Sequence, residues 1–485
     1  MSSKKIINNY IFNTIYQVLI LAAPLVTMPY VSRVLGVTNV SIYDYCHSFA
    51  TYSVLIGAVG TTLYGQREIA YLQDNKDKRT QAFFEIEVFR IISVALFSTG
   101  YFFLFCTHGE YSYVHTILLI EVIAAAFDIS WLFMGMEDFG ITVLRNSIIK
   151  VIGIVCIFLF VKSDQDLIIY VFCLVLPIGI GNLSLWASLR KYVSLTDFDL
   201  AKTICGIRER IKPIFLLFIP QIAADVYMVL DKSMIGLLSP TIDQVGYYSY
   251  AQKIVKLFLM LVNSMGVVML PAMSAEFARG KKDVVVNRLE KVFQFTYCIS
   301  FPMMIGLDVV AHRFVPVYLG AGYEPVIFLI IVISPIIAII ATSNIIGRQY
   351  LLPANEQNIF TKSIVVGATV NFVLNLILIP RFQALGASIA TVIAELFVTI
   401  VQCWHTKEKL PLKGFFISGC HYMAYALLMG AGVSLIDYLL PPKGILPLVL
   451  CIASGFVLYF LMLVLRQDKM IQEAKGILKR YIHRK

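Results

Sequence analysis

The chain has 485 residues, of which 59% are apolar and only 14% charged, with a mean hydropathy of +0.79 and a formal net charge of +10. Soluble domains carry roughly 25% charged residues, so this composition excludes a soluble protein and predicts an integral membrane protein. A helix that crosses a hydrocarbon core about 30 Å thick needs about 20 mostly apolar residues.

Fourteen apolar segments of about this length follow one another along the chain. They cover residues 10–32, 42–65, 83–106, 112–134, 142–161, 167–189, 213–238, 246–272, 292–312, 326–347, 362–380, 384–404, 415–437 and 445–465. Most connections between them are short, and the strands of a membrane barrel would instead alternate apolar and polar residues over about ten positions. The sequence therefore predicts an all-α polytopic membrane protein with about 14 transmembrane helices.

The lysine and arginine residues between these segments are unevenly distributed. Thirty lie in the alternate connections that include both termini, Arg145 among them, and five lie in the opposite set. Cytoplasmic connections hold the positive excess, so both termini are predicted to be cytoplasmic. This bias also accounts for the net charge, and no nucleic-acid partner is predicted.

A charged stretch between the sixth and seventh segments, "RKYVSLTDFDLAKTICGIRERIK", divides the first twelve segments into six and six. We therefore predict five regions. They are a first lobe over 1–195, a cytoplasmic linker over 196–211, a second lobe over 212–407, two extra helices over 408–467 and a basic tail over 468–485. The tail has apolar residues at helical spacing, which is typical of an amphipathic helix on an anionic membrane surface. A solvated basic tail is the alternative.

A weak internal repeat supports the two lobes. "GVTNVSIYDYCHSF" and "TIDQVGYYSYAQKI" lie 205 positions apart, and each has a polar turn before paired tyrosines. Six helices separate the copies, so the lobes are predicted to be parallel and related by a pseudo-twofold axis along the membrane normal. Two such lobes around a central cavity are typical of a transporter that alternates access, although the same halves could serve a channel.

Several ionisable residues fall inside the apolar segments, where a charge costs roughly 2.5 to 3.5 kcal/mol and usually faces a partner or a wet cavity. Five basic residues remain after those counted with the connections: Arg90, Lys150, Lys232, Lys253 and Lys256. The acidic ones include Asp44, Asp128, Asp225, Asp231 and Glu395. Residues equidistant from a tight turn lie at similar depth. This relation pairs Arg33 with Asp44, Asp128 with Lys150, and Asp231 with Lys253. Purely structural ion pairs are the alternative to a functional site.

The eighth segment carries a polar stripe on one helical face, because Ser249, Lys253, Lys256, Met260 and Asn263 follow at spacings of three or four. Asp225 and Lys232 share a face of the seventh segment. We predict that these groups line an aqueous cavity for an anionic ligand, since ammonium groups attract phosphate. Glu395 is predicted to lie at the same depth as Asn371. It is either a protonated carboxyl hydrogen-bonded to that amide or a coupling-ion site, and the first is favoured.

Motifs of catalysis are missing from the sequence. It contains no nucleotide-binding G-x-x-x-x-G-K-[ST], and its nine cysteines and seven histidines show no metal-ligand spacing. We predict no metal, no cofactor and no enzymatic activity.

Several stretches resemble the Wzx-type polysaccharide-unit flippases of bacteria, in the superfamily that also includes the MATE drug exporters and the lipid II flippase MurJ. They are "SRVLGVTNVSIYDY", "GQREIA", "DISWLFMGMEDFGITVLRNSIIK", "VGYYSYAQKIVKL", "VMLPAMSAEFARGK" and "GRQYLLPANEQNIFTKSIVVGATVNFVLNLILIPRFQALGASIATVIAE". Together they run over about residues 10 to 405. Met134 stands where such proteins commonly have glutamine, which leaves the role of that turn open.

The resemblance implies transport of undecaprenyl-pyrophosphate-linked oligosaccharide across the bacterial inner membrane, for O-antigen, capsule or exopolysaccharide assembly. It also implies that Arg33 and Asp44 belong to the translocation path, and that a polysaccharide polymerase and a chain-length regulator are partners. Three alternatives are open: a MATE-type drug/cation antiporter, a teichoic-acid or lipid II-type flippase, and an enzyme of glycan polymerisation. The antiporter is disfavoured because residues 10–32 contain no Asp or Glu. The short outer connections disfavour the enzyme.

Overall fold

The computed structural model describes residues 3–194, 199–280, 282–442, 444–468 and 470–472, and these contain helices and no strand. The α-helices are α1 (Ser3–Ala58), α2 (Thr61–Tyr71), α3 (Lys76–Tyr101), α4 (Ser112–Ala124), α5 (Ser130–Gly135), α6 (Phe139–Phe160), α7 (Leu167–Leu185), α8 (Leu200–Leu238), α9 (Asp243–Ala278), α10 (Lys282–Tyr318), α11 (Glu324–Ile333), α12 (Ile336–Asn344), α13 (Gln357–Thr406), α14 (Leu412–Leu439) and α15 (Ile445–Leu465).

Two of these helices are kinked where the sequence predicted a turn between two spans. In α1 the break is Gly36, with φ 72°, a left-handed value that glycine adopts at little cost. In α13 the break is Gln383, with φ 54° and ψ −130°, three residues after Pro380. Each of these long helices therefore joins two predicted segments.

Nine helical stretches of the described residues are long and apolar enough to cross a membrane. They are 76–106, 112–135, 139–160, 164–191, 283–318, 324–351, 357–406, 412–439 and 445–465. The longest, with 50 residues, covers both halves of the kinked α13. An all-helical, multi-pass membrane protein is confirmed. The count of 14 and the symmetry of the lobes stay predictions.

The chain forms two compact units, residues 1–246 and residues 247–485. The predicted boundary between the lobes lay earlier, at residues 196–211, and α8 groups with the first unit rather than with the residues after it. Residues 200–211, predicted as linker, are the first turns of α8, which Asp199 caps by accepting hydrogen bonds from the backbone N–H groups of Ala201 and Lys202. The division into lobes, linker and extra helices stays a prediction.

Each unit has its own apolar core. In the first unit Phe83 stacks on the fully buried Trp131 with ring centroids 5.6 Å apart, and a second cluster surrounds Leu118. In the second unit Phe293 stacks on Phe415 at 5.0 Å, within a cluster that α14 and α15 share with α10. The predicted basic tail lies outside the described residues from position 473 onward.

Candidate functional site

A polar cavity of about 330 Å³ lies inside the first unit, and we call it the first-unit cavity. Its lining comes from α1, α3, α4, α6, α7 and the turn after α4. The lining residues are Val54, Arg90, Glu121, Ala125, Asp128, Arg145, Asn146, Ile149, Lys150, Ile178 and Asn182. Three cations and two carboxylates are among them, so the cavity carries an excess of positive charge.

Arg90 is fixed in the wall of this cavity by several hydrogen bonds. Its side chain is 3% exposed, and its Nε donates to the backbone oxygen of Ala125 at 2.8 Å. One terminal nitrogen donates to the hydroxyl of Thr62 at 3.1 Å. These acceptors are neutral, and the buried Glu87 is an acidic group that interacts electrostatically with Arg90.

Arg145 projects from α6 towards α7 and the turn after α4. It donates to Asn182 Oδ1 at 2.6 Å and lies 3.7 Å from a carboxylate oxygen of Asp128. Asn182 is itself oriented by donating to the backbone oxygen of Ala124 at 2.8 Å. The network places a guanidinium group, an amide and a carboxylate on one wall.

Lys150 lies one and a half turns after Arg145 on α6 and is exposed. No hydrogen bond or ion pair joins it to another residue in the part of the chain that the structure describes. The sequence placed it opposite Asp128, and the structure lines the same cavity with both, but the cation within 4 Å of Asp128 is Arg145. Lys150 is therefore the cavity cation most available to a ligand.

Further ionisable groups extend from this cavity along α1. Glu121 lies 3.3 Å from Nε2 of His47. One turn earlier, Asp44 binds the ammonium group of Lys232 at 3.1 Å. Asp231, next to Lys232, is also buried, at 4% exposed.

The other predicted site residues are not among the residues that line the first-unit cavity. Arg33 is exposed in α1, just before the kink. Asp225 in α8 is half-buried, as are Lys253 and Lys256 in α9 and Glu395 in α13. The Lys253 ammonium group lies 5.5 Å from the centroid of the Tyr250 ring. The side chain of Asn263 lies outside the described part of the chain. A substrate role for these residues stays a prediction.

Sequence reasoning missed Arg145, Asn146 and Asn182 as site residues. Arg145 was counted with the cytoplasmic connections, but it lies within the helix Phe139–Phe160. Its position inside the apolar segment 142–161 was a signal that could have identified it as an intramembrane charge. The amides gave a weaker signal, because neutral polar residues are common in membrane helices.

The cavity has the chemistry of an anion site. Arginine binds phosphate oxygens through a planar fork and lysine binds them as a point charge. Among the described residues no group of three or more His, Cys, Asp or Glu side chains is arranged to hold a metal ion. A polar cavity between apolar helices fits a solute with a charged head.

This fold has solved relatives. A lipid II flippase MurJ in an inward closed conformation aligns with a TM-score of 0.78 and 17% identity, over 96% of this chain and all of that one. An inward-facing multidrug resistance MATE family transporter aligns with a TM-score of 0.57 and 14% identity, over 81% of this chain and 98% of that one. The chain therefore shares the fold of these two proteins.

Residues 6–277 match the family described as Polysaccharide biosynthesis protein. The chain belongs to this family, which confirms the resemblance derived from the sequence motifs. It is also 25% identical over 389 residues to the "Putative O-antigen transporter" of Escherichia coli (strain K12), covering 78% of this chain and 90% of the relative. The prediction of a membrane transporter rather than an enzyme is confirmed by these relationships.

Proposed function

We propose that this protein is a flippase that moves undecaprenyl-pyrophosphate-linked oligosaccharide repeat units from the cytoplasmic to the outer leaflet of the bacterial inner membrane. It alternates access between the two sides, with both termini in the cytoplasm. The E. coli relative is named as an O-antigen transporter and a structural relative as a lipid II flippase. Both names describe cargo of lipid-linked glycan assembly, which supports this choice of substrate.

The observation that carries the proposal is the charge of the first-unit cavity. A diphosphate must leave water to cross the membrane interior, and the loss of its hydration is offset by cations already held there. Arg90 is anchored by neutral oxygens, Arg145 is held by the amide of Asn182 and also faces the carboxylate of Asp128, and Lys150 has no bonded partner among the described residues. In the proposed cycle the cations of this cavity attract the diphosphate, while hydroxyl-rich sugar contacts amides such as Asn146 and Asn182. Lys253 and Lys256 on α9 are proposed as further anion-binding residues.

The experiment compares two lysine variants in cells that make a surface glycan. A strain lacking the protein is expected to accumulate lipid-linked repeat units on the inner leaflet, measured by mass spectrometry and by accessibility to an external glycosidase. Lys150→Gln is expected to restore export at least tenfold less well than the unaltered protein, because a charge-assisted contact is worth about 1.5 kcal/mol or more. Lys76→Gln, at the exposed start of α3, is the matched control and is expected to restore export fully.

The outcome also separates the alternatives. Accumulation of a peptidoglycan precursor or of a teichoic-acid intermediate would assign the cargo to those pathways. Unchanged repeat units together with new sensitivity to ethidium would identify a drug antiporter and contradict the proposal. The first-unit cavity has an excess of positive charge, which repels cationic drugs and therefore disfavours that antiporter.

A further inference from the structure

A second cavity, in the second unit, is unlike the first in its chemistry. Helices α10, α12, α13 and α14 surround an open groove of about 650 Å³, which we call the α13 groove. Its walls are mostly carbon, with Phe301, Leu396, Ile400 and Phe416 among the lining residues. Ile400 and Leu396 are 48% and 42% exposed, so the groove is open to the surroundings of the protein.

The hydroxyl groups in these walls are already occupied. Tyr297 and Thr342 hydrogen-bond to each other at 3.0 Å, and Thr342 also donates to the Ala338 backbone at 2.8 Å. Thr399 donates to the backbone oxygen of Glu395 at 3.0 Å. Because their hydrogens are used within the protein, the walls favour hydrocarbon over a sugar or a peptide.

Lys407 is the one charged residue among the described residues that line the groove, and it lies directly after the end of α13. Its ammonium group lies 3.8 Å from the centroid of the exposed Trp404 ring. No carboxylate in the described ranges forms an ion pair with it, whereas Lys409, two positions on, is paired with Glu356. Lys407 is therefore free to bind an anion at one end of an apolar groove.

The length of the groove matches one leaflet. Leu396 on α13 and Lys407, directly after its end, are eleven residues apart, which corresponds to roughly 16 Å at 1.5 Å per residue. This is about half of a hydrocarbon core about 30 Å thick. Tryptophan is enriched at the headgroup level, and lysine near a helix end extends its ammonium group there, so Trp404 and Lys407 mark the headgroup end.

We propose that the α13 groove binds a membrane phospholipid with an anionic headgroup, its phosphate at Lys407 and an acyl chain along Ile400 and Leu396. This lipid is a resident of the leaflet on that side and is not the transported cargo. The proposal is independent of the proposed function, because it depends only on the groove, the cation Lys407 and the membrane location of the chain.

Tryptophan fluorescence of the full chain in phosphatidylcholine vesicles tests this site. The chain has three tryptophans; Trp131 is fully buried, Trp186 is half-buried, and Trp404 is 68% exposed. Brominated phosphatidylglycerol, added in increasing amounts, is expected to quench Trp404 at roughly fivefold lower concentration than brominated phosphatidylcholine, because one lysine at the surface is worth about 1 kcal/mol. Trp404→Phe is expected to remove this quenching and so assigns the signal.

Lys407→Gln is expected to make the two brominated lipids quench Trp404 at nearly the same concentration. Lys409→Gln removes the same charge two residues away and is expected to keep the fivefold preference. Equal quenching by both lipids in the unaltered protein, or equal losses in the two variants, would overturn the proposal. Relief of quenching by an equimolar amount of a polyprenyl diphosphate would also overturn it, by assigning the groove to the transported lipid.

Discussion

The ammonium group of Lys232 in α8 lies 3.1 Å from a carboxylate oxygen of Asp44 in α1, 188 positions earlier in the chain. Asp44 is 3% exposed and the Lys232 side chain is 17% exposed, so the pair is largely withdrawn from solvent. Nearby, the hydroxyls of Tyr52 and Ser233 hydrogen-bond at 2.7 Å between the same two helices. Together these contacts fasten α8 to the first unit.

Removing one partner of this pair is expected to destabilise the protein more than removing both charges. Lys232→Ala leaves the buried Asp44 without this cation, at a cost of about 3 kcal/mol, whereas Lys232→Gln with Asp44→Asn retains polar groups of similar size and no charge. The midpoints of thermal unfolding in detergent are the measurement. Equal midpoints for the single and the double variant would show that the pair does not hold α8.

Arg145 is expected to require its guanidinium group rather than only its charge. Arg145→Lys retains the charge but cannot bond Asn182 Oδ1 and face Asp128 at the same time. We expect about a tenfold loss of glycan export, equivalent to about 1.4 kcal/mol, with normal membrane insertion. Arg190→Lys, at an exposed position after α7, is the control. Full export by Arg145→Lys would show that only the positive charge of Arg145 is needed.

The sequence predicted the class of fold well, because apolar segments of about 20 residues are a strong local signal. It also placed the breaks at Gly36 and Gln383, which fall between predicted spans. The partners of the buried charges were harder to predict. Matched depth across a hairpin paired Asp128 with Lys150, but the structure brings Arg145 to Asp128. Packing between helices that are distant in sequence decides such contacts. The pair of Lys232 and Asp44 is an example, because a rule based on neighbouring segments cannot predict it.

The kink in α13 is expected to depend on Gly386. A Cβ atom at this position would lie 2.4 Å from the backbone oxygen of Leu378, which cannot move aside as a side chain can. Gly386→Ala is therefore expected to cost about 1 to 3 kcal/mol, as overpacking does. Gly100→Ala, where no atom lies within 4 Å, is expected to stabilise by about 0.5 kcal/mol. Thermal unfolding of both variants checks the difference, and a loss of the same size at both positions would contradict it.

Arg210 is expected to hold the first turns of α8 against α2 and α3. It donates to Glu68 at 2.9 Å and to the hydroxyl of Tyr64 at 3.1 Å, and it also binds Glu85. Glu85 is only 2% exposed, so Arg210→Ala leaves a buried carboxylate without its cation, at a cost of about 3 kcal/mol.

Arg208, two positions earlier and exposed, provides a matched control for Arg210. Arg208→Ala is expected to change stability by no more than about 0.5 kcal/mol, since surface charges contribute little. Limited proteolysis with trypsin measures directly whether the first turns of α8 stay packed against α2 and α3. Arg210→Ala is expected to make the start of α8 accessible to trypsin. Arg208→Ala is expected to leave the other lysine and arginine sites there protected. Adding Glu85→Gln to Arg210→Ala removes the stranded charge and is expected to recover part of the lost stability. If this second substitution lowered stability further, Glu85 would have a different stabilising partner.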